Sequence, residues 1–370
     1  MPGLENMHIN ELKEFLQMIF ETIKQTHSGS ENEKDLLVLR NFLNIKENSD
    51  FINSATRSKT TVFTKTSLRA EGVAIQNFLR FNCGSNNNLS DLDSLEEVIR
   101  ASCPLLGYHD PAVYELLQKG FTIGFDDLQL NNFRKLLMKL RPVELSDIIA
   151  VWPLFFSRSF MLGIEKEYFN RKNGNVNYDY LHPSLKEVLC DTYGIFLYNE
   201  QIIQTAKIIA GFPKKQANHF FKRLKKAKRA ENEKLCEIFV ESSVKNGIEA
   251  DLAKKIFETM SSSTLYAVCK FKYAEIATLI YKLAYLKAHY YVEFITAYLN
   301  FMQKGYLKYI DICDVSKEYL AQKYIYLEFM AYEKEDFMYE TKSFGYEFNI
   351  PEHVSADKAF KTDGKRIWYE

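Results

Sequence analysis

The sequence predicts a mainly α protein: a multi-helix domain with a small C-terminal β element and a divergent N-terminal region. Three observations support this fold class. Glycine and proline are scarce, with 15 and 8 among 370 residues. Apolar residues recur three and four positions apart through most of the chain, as they do on one face of a helix. Apolar residues at alternating positions occur near the C-terminus, where a short strand pair is expected.

The N-terminal region, residues 1–100, contains one strong helix signal. Residues 9–26 place Phe15 and Ile23 on the same face of a helix. A domain boundary is predicted in the polar stretch near 84–92. Weaker signals predict helices near 35–43 and 67–80, a Ser/Thr/Lys-rich connector at 54–66 and a polar turn at 84–90.

From about residue 104 the helical pattern becomes regular. Asp110 before Pro111 is a helix-start signal, and Gly247 after an apolar-periodic segment is a stop signal. The longest apolar run is expected to be broken at Pro153. The predicted helices cover residues 110–119, 127–140, 144–151, 184–190, 199–210, 214–228, 230–246, 249–261, 272–288 and 290–303.

The C-terminal part, residues 311–370, changes character. A long helix is predicted over 315–340 and is followed by alternating apolar residues at 346–350. The segment 366–369, rich in aromatic residues, comes directly after an Asp-Gly turn. These features predict a small strand pair.

Composition excludes several classes of protein. The chain has 48 basic and 48 acidic residues, so it is neither a disordered polyelectrolyte nor a uniformly basic nucleic-acid coat. Its six cysteines lie far apart and lack zinc-binding spacing, so no metal site is predicted. No apolar run approaches the roughly 18 residues that span a bilayer. We therefore expect a cytoplasmic protein without a membrane partner.

The segment Lys214–Arg229 contains eight cations and no acid. In a neutral protein this is a concentrated positive field, which attracts phosphates and releases their counterions. An alternative interpretation is a solvated basic face that is offset by Glu231 and Glu233. The candidate DNA- or phosphate-binding residues in this segment are Lys222, Arg223, Lys225, Lys226, Lys228 and Arg229.

A second basic helix adds Lys270 and Lys272 to the candidates. Five tyrosines between positions 273 and 291 are interleaved with its lysines. Aromatic rings among lysines can stack on nucleic-acid bases. Tyrosines in this pattern more often form the amphipathic edge of a helical core, and we expect that role here.

Several strings of the sequence resemble the bacterial replicative DNA polymerase III α subunit, a C-family polymerase. The resemblance covers about residues 104–370. It is carried by DPAVYELLQKGFTIGFDDLQLNNFRKLLMKLRP, LRPVELSDIIAVWPLFF, EYFNRKNG, YLHPSLKEVLCDTYGIFLYNEQIIQTAKIIAGF, EIFVESSVKNGIEADLAKKIFE and YLKAHYYVEFITAYL.

The resemblance implies a fingers-like helical domain at residues 101–310. Residues 311–370 then correspond to the C-terminal helix and strands that close the fingers region. Residues 1–100 correspond in part to a remnant of the palm, since residues 8–27 resemble a stretch of it.

The resemblance also implies that the catalytic carboxylates are missing. Nucleotidyl transfer needs two metal ions held by carboxylates, and the family supplies two of these from a P-D-x-D-x-D-F motif that does not occur in this sequence. Two acidic pairs are interpreted instead as helix-start or cap residues, and no catalytic or metal-binding residue is predicted. The positions considered are Asp91, Asp93, Asp126, Asp127 and, for the family's third aspartate, Phe20 and Glu21.

The fingers motifs are altered as well. The arginine of the family's R-P-G-P motif corresponds to Phe156, and its triphosphate-gripping Arg-Arg pair corresponds to Phe221 and Lys222. Its F-N-K-S-H motif corresponds to residues 268–272 and keeps only Lys270. A lysine meets phosphate as a point charge and cannot reproduce the bidentate guanidinium fork. The sequence therefore predicts that nucleotide binding is lost.

The predicted function is that of a catalytically inactive, fingers-like paralogue related to DNA replication. Its predicted partner is primer-template DNA or a replisome protein, one candidate being a full-length polymerase III α subunit. No cofactor is expected, and Mg²⁺ would be bound as a cofactor only if polymerase activity is retained. Two alternatives stay open: a truncated or split polymerase with nucleotidyltransferase activity, and a protein-interaction module that does not bind nucleic acid.

Overall fold

The mainly α class is confirmed by the computed structural model of the chain. The residues that the structure describes are 9–26, 108–125, 131–155, 159, 161–313, 334–346, 348 and 358–370. Within these ranges the chain forms thirteen α-helices, two 3₁₀ turns and one antiparallel strand pair. Over the same ranges, no helix combines the length and the apolar character that a bilayer crossing requires.

The elements follow one another along the chain as helices, with both strands at the end. They are α1 Ile9–Thr26, α2 Pro111–Gln118, α3 Asn131–Leu140, α4 Leu145–Phe155, α5 Ile164–Lys172, 3₁₀ Pro183–Leu185, α6 Lys186–Leu189, 3₁₀ Cys190–Thr192, α7 Asn199–Ala210, α8 Lys214–Leu224, α9 Arg229–Lys245, α10 Ala250–Ser263, α11 Lys270–His289, α12 Tyr291–Cys313, α13 Lys334–Ser343, β1 Phe360–Thr362 and β2 Ile367–Tyr369.

Some predicted features lie outside the described residues. They are the helices at 35–43 and 67–80, the connector at 54–66, the polar turn at 84–90, the acidic pairs Asp91/Asp93 and Asp126/Asp127, Phe156, and the first part of the helix at 315–340.

Helix α5 is absent from the sequence prediction because it has few apolar residues. It buries only Tyr168 and Phe169. Its charges, however, are ordered for a helix, with acids in the first turn and Arg171 and Lys172 in the last. Glu167 and Arg171 also form an i,i+4 ion pair. This charge order is the signal that predicts the helix, since hydrophobic periodicity does not.

Helix α4 continues through Pro153, so the predicted break is wrong. Proline removes one backbone donor from a helix interior and costs about 3 kcal/mol there. The residues around it, from Leu145 to Leu154, are almost all buried. Burial of several large apolar side chains at about 1.5–3 kcal/mol each exceeds that cost.

The strand pair is confirmed, but its first strand lies elsewhere. Phe360–Thr362 pairs with Ile367–Tyr369 across the predicted Asp-Gly turn. Tyr346 and Phe348 have no strand structure. Asn300 of α12 explains the location of β1, because its side-chain amide donates to the carbonyl oxygen of Phe360 at 2.8 Å and accepts from the same residue's N–H at 2.8 Å.

The contacts divide the chain into two units. Among the described residues, one unit contains 9–26, 108–141 and 279–370, and the other contains 142–278. The domain boundaries predicted near residues 100 and 310 stay predictions.

In the first unit, α1 packs along α12. Phe15 meets the rings of Phe294 and Phe301 at centroid distances of 5.5 and 5.3 Å. At the end of α1, the Thr26 hydroxyl donates to Oε1 of buried Glu293 at 2.9 Å. The apolar face predicted for residues 9–26 is therefore buried, and its last residue satisfies a buried carboxylate.

In the second unit, four phenylalanine rings form the centre of the core. Phe220 stacks on Phe239 at 5.8 Å and meets Phe257 edge-on at 6.3 Å, and Phe212 lies 5.3 Å from Phe220. The rings come from α8, α9 and α10 and from the segment after α7. Because aromatic pairs bury large apolar areas, this cluster fixes the helices relative to one another.

A buried amide joins the start of α7 to the turns that precede it. The side chain of Gln201 is 3% exposed and makes four hydrogen bonds. Its oxygen accepts from the N–H groups of Leu197 (2.9 Å) and Tyr198 (3.0 Å). Its nitrogen donates to the carbonyl oxygen of Val188 (3.1 Å) and to the Thr192 hydroxyl (2.8 Å). Gln201 lies in one of the strings that resemble the family, and its role here is structural.

Replacing Gln201 with leucine should destabilise the second unit by at least about 2 kcal/mol, because each buried group left unsatisfied costs about 1–3 kcal/mol. The measurement is urea unfolding followed by circular dichroism. Gln204→Leu, at a half-buried position on the same helix, is the matched control and should shift the midpoint little. Equal midpoints for the two variants would contradict this role for Gln201.

Candidate nucleic-acid interface

The candidate interface lies between α8 and α9 of the second unit. Helix α8 buries Ala217, Phe220 and Leu224 and leaves its cations outside. The helix ends at Leu224, and the chain turns before α9 begins at Arg229. We call residues 222–229 the basic connector.

The prediction of one continuous helix over 214–228 is therefore wrong. Lys226 N–H donates to the carbonyl oxygen of Arg223 at 3.0 Å, and Ala227 N–H donates to that of Leu224 at 3.2 Å. Both bonds join residues three positions apart, as in a tight turn, whereas an α-helix joins residues four positions apart. Leu224 is the last buried position of α8, and extending the helix would align further like charges three and four residues apart. The helix therefore ends where its buried positions end and where the run of lysines begins.

Two of the six connector cations have carboxylate partners. Arg223 donates twice to Oε1 of Glu231, from Nη2 at 2.6 Å and from Nε at 2.9 Å. Arg229 donates from Nε to Glu233 at 3.2 Å, but Arg229 is almost fully exposed, so that pair is worth little. The alternative interpretation, in which Glu231 and Glu233 offset the basic face, thus holds for the two arginines.

The lysines of the connector are placed differently. Lys222, Lys225, Lys226 and Lys228 are exposed. Lys225 lies over the ring of Phe221, with Nζ 5.8 Å from its centroid. Among the residues that the structure describes, none of the four has a carboxylate partner. The connector therefore presents four ammonium groups without a carboxylate partner to solvent, and three of them, on Lys222, Lys226 and Lys228, have no ring contact either.

The connector also leads into the N-terminus of a long helix. Lys228 has extended backbone angles at the N-cap of α9, which is 17 residues long. The first N–H groups of a helix have no partner within it, and the helix dipole makes this end positive. The lysines and the helix end therefore act on an anion in the same direction, while Glu231 in the first turn acts against it.

Lys270 lies in a compensated environment. Its ammonium group is 3.2 Å from Oδ2 of Asp191, and its side chain is 12% exposed. Nζ also lies 5.4 Å from the ring centroid of Tyr198, and burial raises the pKa of Tyr198 well above its ordinary value. The Lys270 N–H donates to Oε2 of Glu200 at 2.9 Å, which caps the start of α11. The side chain of Lys272 lies outside the described residues.

The tyrosines of α11 and its end belong to the core. Tyr273, Tyr281, Tyr290 and Tyr291 are all buried. Tyr273 stacks on Trp152 at 5.6 Å in the second unit, and Tyr281 accepts from the Asp110 N–H at 2.8 Å in the first. These four rings are therefore not a platform for bases, in agreement with the core interpretation.

The described carboxylates do not fit a two-metal centre. No group of three His, Cys, Asp or Glu side chains in the described ranges is arranged to hold a metal ion. Glu21 is exposed on α1 and accepts from the Gln17 amide at 2.6 Å. Asp147 is buried, where it pairs with Lys172 and accepts from the Val143 N–H at 2.9 Å. These carboxylates have structural partners.

Sequence reasoning placed Glu231 and Glu233 as an offset to the basic segment but did not say which cation each one meets, and it missed the Lys270–Asp191 pair. Neither the Arg223–Glu231 pair, eight residues apart, nor the Lys270–Asp191 pair, 79 apart, follows a helical spacing. The absence of an apolar residue between Lys225 and Arg229, apart from Ala227, is the signal that predicts the turn.

Comparison with known proteins shows what part of the chain is similar to. Residues 88–247 match the family model of the bacterial DNA polymerase III alpha subunit finger domain. This match includes the basic connector and helices α2–α9. Through this segment the chain is similar to that finger-domain family.

Individual relatives carry the name DNA polymerase III subunit alpha. The chain is 31% identical to that of Aquifex aeolicus over 208 residues, 56% of this chain and 18% of the relative. It is 36% identical to that of Halalkalibacterium halodurans over 192 residues, 52% of this chain and 17% of the relative. For Escherichia coli K12 the identity is 32% over 210 residues, 55% and 18%. The chain thus spans less than a fifth of the length of these relatives.

Amine-reactive labelling should distinguish the connector lysines from the compensated ones. We expect Lys222, Lys226 and Lys228 to react far faster with a limiting acetylating reagent than Lys270 or Lys287. The connector lysines are exposed, whereas Lys270 is paired and Lys287 is fully buried. Mass spectrometry of the digested protein measures each rate, with urea-unfolded protein as the control. A rate for Lys270 equal to that for Lys226 would contradict this assignment.

Proposed function

We propose that this chain is a non-catalytic, fingers-type relative of the replicative polymerase subunit that binds primer-template DNA through the basic connector. The observation that carries the proposal is the presentation of Lys222, Lys226 and Lys228 without carboxylate partners in a chain of zero net charge. The match of this segment to a polymerase finger domain supports DNA as the polyanion.

The electrostatics favour binding to the phosphate backbone. Each phosphate neutralised by a lysine releases condensed counterions, and the affinity then falls steeply with salt. The remainder of the second unit contributes both signs of charge, so the attraction is local to the connector. Contacts of this kind position a protein on DNA and carry no sequence information.

The same geometry argues against tight binding of a nucleoside triphosphate. At the position of the family's arginine pair, this chain has Phe221, whose half-buried ring lies beneath Lys225, and Lys222. The neighbouring Arg223 is engaged with Glu231. Lysines act as point charges, whereas bidentate recognition of phosphate needs a free guanidinium fork.

The proposal that the chain is non-catalytic rests on the sequence and on the described carboxylates. The family's P-D-x-D-x-D-F motif does not occur in the sequence. Glu21, Asp147 and Glu293 have structural partners. Nucleotidyl transfer needs a centre with two metal ions, and a separate protein would have to supply it. We propose that this chain acts with DNA and with a palm-bearing replisome protein.

Changing Lys222, Lys226 and Lys228 together to alanine should weaken binding to primer-template DNA. If each lysine contacts one phosphate, the slope of log affinity against log salt should decrease in magnitude by up to roughly 2.7. Fluorescence anisotropy across a salt series measures both quantities.

A matched triple variant provides the control. Lys234, Lys254 and Lys255 are exposed lysines of α9 and α10, and their change to alanine removes the same net charge. If both triple variants lost the same affinity, the loss would come from the change in overall charge and not from the position of the lysines. Unchanged binding in the connector variant would refute the proposed interface, and absence of DNA binding in the unmodified chain would favour the protein-interaction alternative.

The purified chain should not extend a primer in the presence of Mg²⁺ and the four deoxynucleoside triphosphates. A full-length polymerase III alpha subunit serves as the positive control on the same primer-template. Magnesium-dependent extension, abolished by changing Asp91, Asp93, Asp126 and Asp127 to asparagine, would establish the split-polymerase alternative. Denaturing gel electrophoresis of the labelled primer is the readout.

A further inference from the structure

Among the described side chains of helix α13, the two buried ones are polar and the two apolar ones are exposed. We call residues 334–346, which contain this helix, the strap. Among its described side chains, Glu340 and Thr341 are each 2% exposed, whereas Met338 is 47% and Tyr339 66% exposed. Helices normally bury their apolar residues and expose their charges. The helix of the strap instead buries Glu340 and Thr341, and the apolar contacts of the strap come mainly from the rings of Phe344 and Tyr346 that follow.

The partner of Glu340 is a lysine in the core of the first unit. Lys287 of α11 is fully buried and forms an ion pair with Glu340. Its Nζ also donates to the carbonyl oxygens of Ile123 at 2.7 Å and Phe121 at 3.1 Å. The ring of Phe125 lies 5.0 Å from the same nitrogen. The lysine thus joins three parts of the chain: α11, the segment 121–125 and the strap.

Aromatic stacking covers this polar contact. The ring of Phe344 stacks on Tyr291 at 4.0 Å, nearly parallel, and Tyr346 lies 5.8 Å from Tyr291. The hydroxyl groups of Tyr291 and Thr341 are 3.1 Å apart. Phe344 and Tyr346 are only half-buried, so the covering layer is thin.

The ion pair determines which face of α13 docks. Adjacent helical residues point about 100° apart, so a rotation by one residue takes Glu340 away from Lys287. Either charge left buried without the other is strongly unfavourable. Burial lowers the pKa of Lys287 and raises that of Glu340, in keeping with a pair removed from water.

We propose that the strap is a releasable latch, keyed by Lys287 and Glu340, that opens as a local unit while α11 and α12 stay folded. An ion pair in the interior recovers little net free energy, because desolvation offsets the attraction. Segments that bury few apolar contacts open at lower free energy than the core. Opening the strap exposes Lys287, Tyr291 and the segment 121–125 to solvent.

Native-state hydrogen exchange on the full chain, in a series of low urea concentrations, tests the latch. We expect amides of 338–346 to exchange through an opening that occurs more often than the opening that exposes residues 282–299. If both segments exchange at the same rate and with the same urea dependence, the strap opens only with the core and the proposal is wrong.

Variants test the role of the ion pair between Lys287 and Glu340. Glu340→Gln keeps the size of the side chain and removes its charge, and it should speed exchange of 338–346 by about tenfold or more. Exchange in 202–210 of the second unit should be unchanged. Lys342→Gln, at an exposed position on the same helix, is the control and should have little effect. Equal effects of the two variants would overturn the assigned role of the pair.

A double variant separates the effect of an unpaired buried charge from the effect of lost contacts. Lys287→Met with Glu340→Met replaces the pair by apolar side chains and leaves no unpaired buried charge. Its strap should exchange more slowly than that of either single variant. Additive acceleration in the double variant would mean that the two residues act independently, and the proposal would fail.

Discussion

The packing of Phe220 against Phe239 and Phe257 is the interaction on which the basic connector depends. These rings fix α8, α9 and α10 with respect to one another, and Leu224 closes the buried face of α8. The chain must then reverse within a few residues, and every side chain in that reversal apart from Ala227 is a cation. The surface charge of the connector is therefore held in place by an apolar core rather than by ion pairs.

Charge compensation separates the cations of the second unit into two groups. Arg223 and Lys270 face carboxylates, and their positions are set by the fold. Lys222, Lys226 and Lys228 have no such partner in the described part of the chain. The distinction matters because a compensated cation adds little to the field outside the protein. Charge density along the sequence therefore overstates the number of groups available to a polyanion.

Local patterns predicted the fold well where they were strong. Residues 9–26 place Phe15 and Ile23 on one face, and α1 has the predicted bounds. Helix α5 was not predicted, because tertiary contacts and the order of its charges stabilise it and its apolar residues are not periodic. The start of β1 depends on a contact from a distant position, the side chain of Asn300, whereas α8 ends at Leu224, its last buried position. The connector residues and the acids Glu231 and Glu233 could be selected from sequence, but the pairing of Arg223 with Glu231 across eight residues could not.

The docking of α1 on α12 has a consequence for biosynthesis. Thr26 and Glu293, which join these helices, are 267 positions apart. At a synthesis rate of about 5–20 residues per second, the first helix leaves the ribosome roughly 13–53 s before its partner. During that interval the apolar side chains of Phe15, Leu16, Ile19 and Ile23 have no native surface to cover them. The apolar face of α1 therefore stays without its native partner until translation reaches α12, and such exposed apolar surface favours aggregation.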